Sequence, residues 1–127
     1  MNLRKIGIGL LVATTIYAQN GKEVFNKNCS SCHSTILGVT NDGGYDNTYV
    51  TPAPYITDLV KTLKEKTKTK EEFKSFIQSY IKNPDKRKSL YGKKAIKKFG
   101  LMPSLENSLT DEDINRLGEY LYNYRVN

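Results

Sequence analysis

Apolar residues in the second half of the chain recur at the three- and four-residue spacing of one helix face. This pattern predicts a helix over residues 55–66, a second helix that begins at Thr69, and a last helix that follows Thr110. Asn83 and Pro84 are expected to end the second of these helices. No segment shows the strict alternation of apolar and polar residues that is typical of a half-buried strand. The sequence therefore predicts an all-α fold.

Two of the predicted helices also carry start signals. Thr69 followed by Glu72 fits a capping box, and the three acidic residues after Thr110 favour the positive end of a helix dipole. We expect the apolar stripes of the three helices to form the core. These stripes are Ile56, Leu59, Val60 and Leu63; Phe73, Phe76, Ile77, Tyr80 and Ile81; and Ile114, Leu117, Leu121 and Tyr124, with Tyr120 beside them.

Shorter elements are expected elsewhere. Residues 21–28 predict a short helix with Val24 and Phe25 on one face. The basic segment 85–98 has room for one or two helical turns near its end. Residues 34–54 are rich in Gly, Asn, Asp, Thr and Pro and predict a long loop. A loop of this length is unusual in a compact domain unless it is functional or wrapped on something.

The first 18 residues have the pattern of a secretory signal peptide. Arg4 and Lys5 precede an apolar run from Ile6 to about Tyr17, and Ala18 offers a small residue at a plausible cleavage position. The run is too short for a stable membrane span, which needs ~20 residues. The alternative is an uncleaved anchor at the membrane surface. We therefore expect a signal peptide over residues 1–18, one domain over residues 19–127, and export to the periplasm or to another extracytoplasmic location.

Length and cysteine content indicate that the mature domain needs a covalent cross-link. A chain of 127 residues holds one domain, and small exported domains bury too little surface to dispense easily with a cross-link. The two cysteines, Cys29 and Cys32, lie three positions apart. A disulfide between them would close a tiny loop and contribute little stability. A covalently bound cofactor would meet the same need.

Positive charge is concentrated in one segment. Residues 61–98 hold 14 Lys or Arg against four acidic residues, within a chain of formal net charge +7. A basic segment on a near-neutral remainder favours attraction to an anionic surface. The alternative is a solvated helical face with no partner. Nucleic-acid binding fits poorly with an exported protein.

The motif at residues 29–33 reads Cys-Ser-Ser-Cys-His, and C-x-x-C-H is typical of covalent haem attachment. Two thiols on one turn can each bond a vinyl group of the same porphyrin, and the adjacent His33 then projects its imidazole towards the iron. A thioredoxin-like site would need a βαβ setting, zinc would need four ligands, and a plain disulfide would leave His33 without a role. The motif therefore predicts one haem c bound through Cys29 and Cys32.

The second axial ligand follows by elimination. His33 is the only histidine, which excludes ligation by two histidines of one chain. Met1 would leave with the signal peptide, so Met102 is the remaining methionine. Pro103 biases Met102 towards an extended conformation, and Gly100 permits a sharp approach of the backbone. We expect Met102 to ligate the iron; the alternative is a gap-filling core methionine.

The chain resembles a monohaem class I cytochrome c along nearly its whole mature length. Gly21 and Phe25 match the family's first helix, the haem motif and Met102 follow in the family's order, and Leu117 with Leu121 resembles the final helix. The resemblance implies a class I cytochrome c-like fold, with three to five helices wrapped around one covalently bound haem. It also implies that the N- and C-terminal helices cross.

The resemblance further implies a proline whose carbonyl accepts a hydrogen bond from the proximal imidazole. Pro54 is the candidate, with Pro52 second, although some twenty residues separate them from His33, more than in compact family members. Four tyrosines are possible partners of the haem propionates, although ordinary core tyrosines would explain them equally well. They are Tyr45, Tyr49, Tyr55 and Tyr91.

A haem iron with both axial positions filled has no site for a substrate. The expected function is therefore a one-electron carrier rather than an enzyme, monomeric, and bound transiently by redox proteins with acidic docking surfaces. Two alternatives remain. One is a haem c subunit of a larger oxidoreductase complex, with the 34–54 loop as its docking element. The other is a ligand-binding or sensing haem protein in which the Met102 bond is labile.

Overall fold

The computed structural model of the chain describes residues 20–34 and 52–125. Five α-helices follow one another in this part: α1 (Gly21–Asn28), α2 (Ile56–Lys66), α3 (Lys70–Lys82), α4 (Lys93–Phe99) and α5 (Asp111–Tyr122). None of the described residues forms a strand. The predicted all-α class is confirmed. The predicted signal peptide and residues 35–51 of the predicted loop lie outside the described residues.

Side-chain caps begin three of the helices. The Asn20 side chain accepts a hydrogen bond from the Glu23 N–H at 2.9 Å, and Thr69 accepts one from the Glu72 N–H at 3.1 Å. The capping box predicted at Thr69 is wrong in its second half, because the Glu72 carboxylate accepts from the Lys68 N–H at 2.8 Å instead. The bonds to Asn20 and Thr69 each satisfy a backbone donor that the first helical turn leaves free.

A full capping box begins α5. The Asp113 N–H donates to the Thr110 hydroxyl at 3.1 Å, and the Thr110 N–H donates to the Asp113 carboxylate at 3.1 Å. The reciprocal bonds fix both ends of the first turn. The helix that they begin packs against α1 and α3.

The hydrophobic core lies where α5 meets α1, α2 and α3. Its members are almost completely excluded from solvent: Val24, Phe25, Ile56, Val60, Leu63, Phe73, Ile77, Ile81, Leu109, Ile114, Leu117 and Leu121. Five residues of the predicted stripes are only partly buried: Leu59, Phe76, Tyr80, Tyr120 and Tyr124. The Phe76 and Tyr80 rings stack with centroids 5.3 Å apart, and both line a cavity, while Phe76 also packs against the core. Tyr124 lies beyond the end of α5.

The first and last helices cross at Gly21. A Cβ atom added to Gly21 would lie closer than 3.0 Å to the backbone oxygen of Arg116 and to the Cβ of Tyr120. The Phe25 ring packs beside the Tyr120 ring, with centroids 5.9 Å apart. The crossing therefore needs a residue without a side chain at position 21, since α5 backbone occupies the space. The crossing that the resemblance implied is present.

Gly21→Ala should lower the free energy of unfolding by ~1–3 kcal/mol, because the added methyl group forces the two helix backbones apart. Gly118→Ala on α5 is the matched control. A Cβ at Gly118 would meet Lys74 Cγ at 3.3 Å, which belongs to a flexible side chain, and alanine is the better helix former. Chemical denaturation of both variants measures the difference. Equal midpoints for the two variants would contradict a close crossing at Gly21.

Candidate haem site

One cavity of about 340 Å³ collects the side chains that the sequence analysis singled out. Cys29, Cys32 and His33 line it from the turn that follows α1, and Met102 lines it from the loop that follows α4. Apolar side chains of every helix complete the walls. Those contributed by the helices are Phe25, Ile56, Leu59, Leu63, Phe76, Ile77, Ile81, Ala95, Ile96, Phe99, Leu117 and Leu121.

Backbone hydrogen bonds coil the haem motif into a compact turn at the end of α1. The Cys29 N–H donates to the Phe25 carbonyl at 2.9 Å, and the N–H groups of Cys32 and His33 donate to the Cys29 carbonyl at 3.2 and 2.8 Å. Both thiols and the imidazole thereby reach the same cavity. The two cysteines are free thiols in the structure.

A hydrogen bond fixes the His33 ring. Its Nδ1 lies 2.8 Å from the carbonyl oxygen of Pro54, and because a carbonyl oxygen only accepts, Nδ1 carries the proton. Burial lowers the pKa of His33, although the bond to Pro54 opposes that effect. The neutral ring therefore keeps a lone pair on Nε2, the form of imidazole that binds metals.

The chain segment around Pro54 is tied to the motif at a second point. The Ile56 N–H donates to the Ser34 carbonyl at 3.1 Å. Pro52, the second candidate, lines the cavity but is not the partner of the imidazole, which faces Pro54. The start of α2 is thereby held against the residues that follow the motif.

The two thiols differ in their surroundings. Burial raises the pKa of the Cys29 thiol to about 11, and the neighbouring Cys32 thiol adds to the shift. Zinc would need four ligands, and the motif offers two thiols and one imidazole. In the described part of the chain, no three His, Cys, Asp or Glu side chains are grouped to hold a metal ion. The donor set fits thioether formation and a single imidazole ligand better than a zinc site.

Met102 is held by a loop anchored to α3. Gly100 ends α4 with φ +77°, a conformation that side-chain-bearing residues rarely adopt. The Ser104 hydroxyl donates to the Lys82 carbonyl at 2.6 Å, and the Leu105 N–H donates to the Ile81 carbonyl at 3.0 Å. Met102 is partly buried and packs against the core. The anchored loop thus brings the Met102 side chain to the cavity from a different chain segment than the one that carries the haem motif.

The chemistry of the lining fits a porphyrin. Among the described residues, no Asp, Glu, Lys or Arg side chain lines the cavity. The polar groups are a few neutral ones, as expected for a cofactor site. Two thiols and an imidazole on one turn, with a thioether supplied by another segment, match the donor set of a c-type haem. The residues present therefore fit the group that the motif predicts.

Sequence reasoning missed part of the polar lining. Tyr80 and Ser89 line the cavity together with Tyr91. Of these three residues, only Tyr91 was named as a possible partner of the haem propionates. Tyr55 does not line the cavity, and the other two tyrosine candidates, at positions 45 and 49, lie outside the described residues. The spacing of Phe76 and Tyr80, one helical turn apart, was the sequence signal that could have placed Tyr80 on the cavity wall. It was interpreted as part of a core stripe.

The helical shell and its donor set define a c-type cytochrome domain. The family described as "Cytochrome C oxidase, cbb3-type, subunit III" matches residues 17–121. The chain belongs to this family of c-type cytochromes, which implies covalent haem c and electron transfer.

The chain is also similar to an uncharacterized protein of Aquifex aeolicus (strain VF5). The two are 29% identical over an alignment of 136 positions, which covers 97% of this chain and 90% of the relative. None of the solved structures matches the chain.

Proposed function

We propose that the chain is an exported one-electron carrier with a single haem c, attached through Cys29 and Cys32 and ligated by His33 and Met102. The observation that carries the proposal is that all four side chains line one cavity, and that none of the described residues in its wall is charged. Two widely separated chain segments meet there, and each supplies a donor that haem iron accepts.

The chain's own residues set the conditions for electron exchange. When bound, the haem supplies reversible one-electron oxidation and reduction of its iron. Pro54 holds the His33 ring in one orientation, and the anchored loop holds the Met102 thioether. Apolar walls exclude water, which favours the less charged reduced state and raises the reduction potential. Because the His33 ring is hydrogen-bonded to Pro54 and the loop that carries Met102 is bonded to α3 through Ser104 and Leu105, we expect little rearrangement of the site when an electron arrives or leaves.

The proposed setting is the periplasm, with acidic redox proteins as transient partners. The pattern of residues 1–18 supports export, and the basic segment 61–98 supports attraction to carboxylates. Within the described residues no helix is long and apolar enough to cross a membrane. The family description favours a second candidate, a haem c subunit of a larger oxidase complex. Size-exclusion chromatography separates the two, because a free carrier elutes near its monomer mass.

A potentiometric titration followed by visible spectroscopy tests the proposed function. The matured protein should show a low-spin c-type spectrum in both states and a single wave for one electron. The oxidised form should retain the weak far-red band of an iron–sulfur bond. A matured protein without colour would show that no haem is bound. A five-coordinate spectrum in the reduced state would contradict the role of electron carrier.

A further inference from the structure

Three aromatic rings in contact connect the haem cavity with the end of α5. Phe25 lines the cavity, and its ring packs beside the Tyr120 ring, with centroids 5.9 Å apart. The Tyr120 ring meets the Tyr124 ring edge-on, again with centroids 5.9 Å apart. Both distances are those of packed aromatic pairs. The three rings therefore form a continuous path that leads away from the cavity.

Helix packing holds these rings in place. The close crossing at Gly21 brings α5 against α1, the helix that carries Phe25. The Tyr124 N–H donates to the Leu121 carbonyl at 3.1 Å, which keeps Tyr124 beside the last turn of α5. Phe25 is a core residue, and both tyrosines pack against the core. The path is therefore part of the packed interior.

The outer end of the path lies in a cleft between α2 and the end of α5, which we call the α2–α5 cleft. Tyr124 lines this cleft and is partly exposed. Lys61, Lys64 and Arg125 line it together with the carboxylate of Glu65. None of these three basic residues forms a salt bridge with a described residue. The excess of positive charge attracts small anions to the cleft.

A second tyrosine of the α2–α5 cleft, Tyr122, has cations above its ring. The ammonium nitrogens of Lys64 and Lys70 lie 4.9 and 5.7 Å from the ring centroid. Positive charge above a ring is attracted by its electrons and therefore opposes their removal. In the described part of the chain, no lysine lies over the ring of Tyr120 or Tyr124. Of the two tyrosines in the cleft, Tyr124 is thus the easier one to oxidise.

We propose that the reduced protein has a second activity, the scavenging of anionic one-electron oxidants, and that Tyr124, Tyr120 and Phe25 conduct the electron to the oxidant in the α2–α5 cleft. We call these three residues the aromatic path. The proposal rests on the proposed function, because the electron comes from haem c in its reduced state. A dissolved radical that is drawn into the cleft is reduced there without reaching the haem itself.

The transfer balances in electrons and protons. The oxidant takes one electron from Tyr124, whose phenol releases its proton to water in the cleft. Tyr124 regains an electron from Tyr120, Tyr120 regains one across Phe25 from the haem site, and each phenol takes back a proton. Burial raises the pKa of Tyr120, and the neighbouring Tyr124 adds to the shift, so the phenol is protonated before it is oxidised. The net change is one reduced oxidant and one oxidised protein, and no bond of the chain backbone or haem attachment breaks.

Pulse radiolysis of the holoprotein tests the aromatic path through the absorbance of the tyrosyl radical. Azide radicals, which oxidise tyrosine, are generated at less than one per protein molecule. In the reduced holoprotein, part of the tyrosyl absorbance should decay in a first-order phase that does not depend on protein concentration, and the α-band of the reduced haem should fall with it. The oxidised holoprotein has no electron to give, so its radicals should persist until they couple into dityrosine. Equal decay in both states would overturn the proposal.

Tyr120→Phe keeps the ring beside Phe25 and removes the oxidisable phenol. It should lose at least as much of the first-order phase as Tyr124→Phe does and should form more dityrosine. Tyr80 and Tyr91, which line the cavity, account for the part that remains. The double variant should lose no more than Tyr120→Phe alone, because electrons bound for Tyr124 pass through Tyr120. An unchanged phase in Tyr120→Phe, or a further loss in the double variant, would overturn the path.

The matched control is Tyr122→Phe, on the same helix and in the same cleft. The Tyr122 ring packs edge-on against Phe73, which does not line the cavity. This control should leave the first-order phase unchanged. A loss as large as that of Tyr120→Phe would overturn the path, because any tyrosine of α5 would then serve. The visible spectrum and the denaturation midpoint of each variant check the haem site and the fold.

The carbonate radical anion tests the preference for anionic oxidants. At low ionic strength, Lys61→Gln with Arg125→Gln should slow tyrosyl formation by this radical about twofold or more and leave the uncharged azide radical unaffected. High salt should remove the difference. Lys22→Gln with Lys27→Gln, on the exposed side of α1, removes the same net charge as a control. Equal rates in the two variants would overturn the role of the cleft's charge.

The proposed function and the aromatic path can fail separately. A wild-type protein that does not titrate as a one-electron couple would overturn the proposed function. A protein that titrates normally, but whose tyrosyl radicals decay only by coupling into dityrosine, would overturn the aromatic path alone.

Discussion

Met102→Leu should lower the reduction potential by on the order of 100–300 mV, within the ~0.8 V range over which axial ligands set haem potentials. Leucine conserves volume at a methionine position and costs little packing energy. The substitution therefore separates the sulfur donor from the role of Met102 as a partly buried side chain against the core. A potentiometric titration measures the shift, and loss of the far-red iron–sulfur band should accompany it.

Leu105→Ala is the matched control for the Met102 loop. Leu105 lines the same cavity and packs against the core, and the substitution leaves in the chain the backbone N–H that donates to the Ile81 carbonyl. Leu105→Ala should lower the denaturation midpoint but leave the iron–sulfur band in place.

An unchanged reduction potential in Met102→Leu would exclude Met102 as a ligand.

Carbon monoxide distinguishes a carrier from a sensor. The reduced wild-type protein should bind carbon monoxide slowly or not at all at neutral pH, and Met102→Leu should bind it readily. Rapid and complete binding by the wild-type protein would favour the alternative in which the Met102 bond is labile.

The helices with strong apolar stripes were predictable from the sequence because their signals are local. The ends of α3 follow from the cap at Thr69 and the stop at Asn83, whereas the cap at Asn20 that begins α1 was not predicted. The helix α4 was foreseen only as a turn or two. It has no side-chain cap, and glycines with positive φ, Gly92 and Gly100, flank it at both ends. Its position depends on the cavity it borders, which no local pattern contains.

The candidate site was predictable where a motif or a count fixed it. The attachment motif and the single remaining methionine were legible in the sequence. The partner of His33 is 21 positions away, and only the family resemblance pointed to Pro54. Phe76 and Tyr80 were predicted only as core residues, and their place in the cavity wall was not predicted. Helical spacing shows that two residues share a face but not whether that face meets protein or cofactor.

A double variant, Cys29→Ala with Cys32→Ala, should lose all covalently bound haem and most of its folded population. The cavity of about 340 Å³ would stand empty in chains that release the haem. The apolar lining of the emptied cavity loses the contacts that the haem would supply, which lowers the stability of the fold. Domains of this size have a total stability of about 5–15 kcal/mol. Haem staining of a denaturing gel and circular dichroism measure the two losses.

The single variants give the intermediate case, because each retains one thiol on the turn. Cys29→Ala and Cys32→Ala should each shift the α-band of the pyridine haemochrome, since one vinyl group stays unsaturated. Ser31→Ala is the matched control within the motif: Ser31 is exposed and its hydroxyl lies 4.0 Å from the Cys32 sulfur, so attachment should stay complete. Haem that resists acid–organic extraction from the double variant would show that the two thiols are not the attachment points, and the proposed function would then lose the covalent bond on which an exported carrier depends.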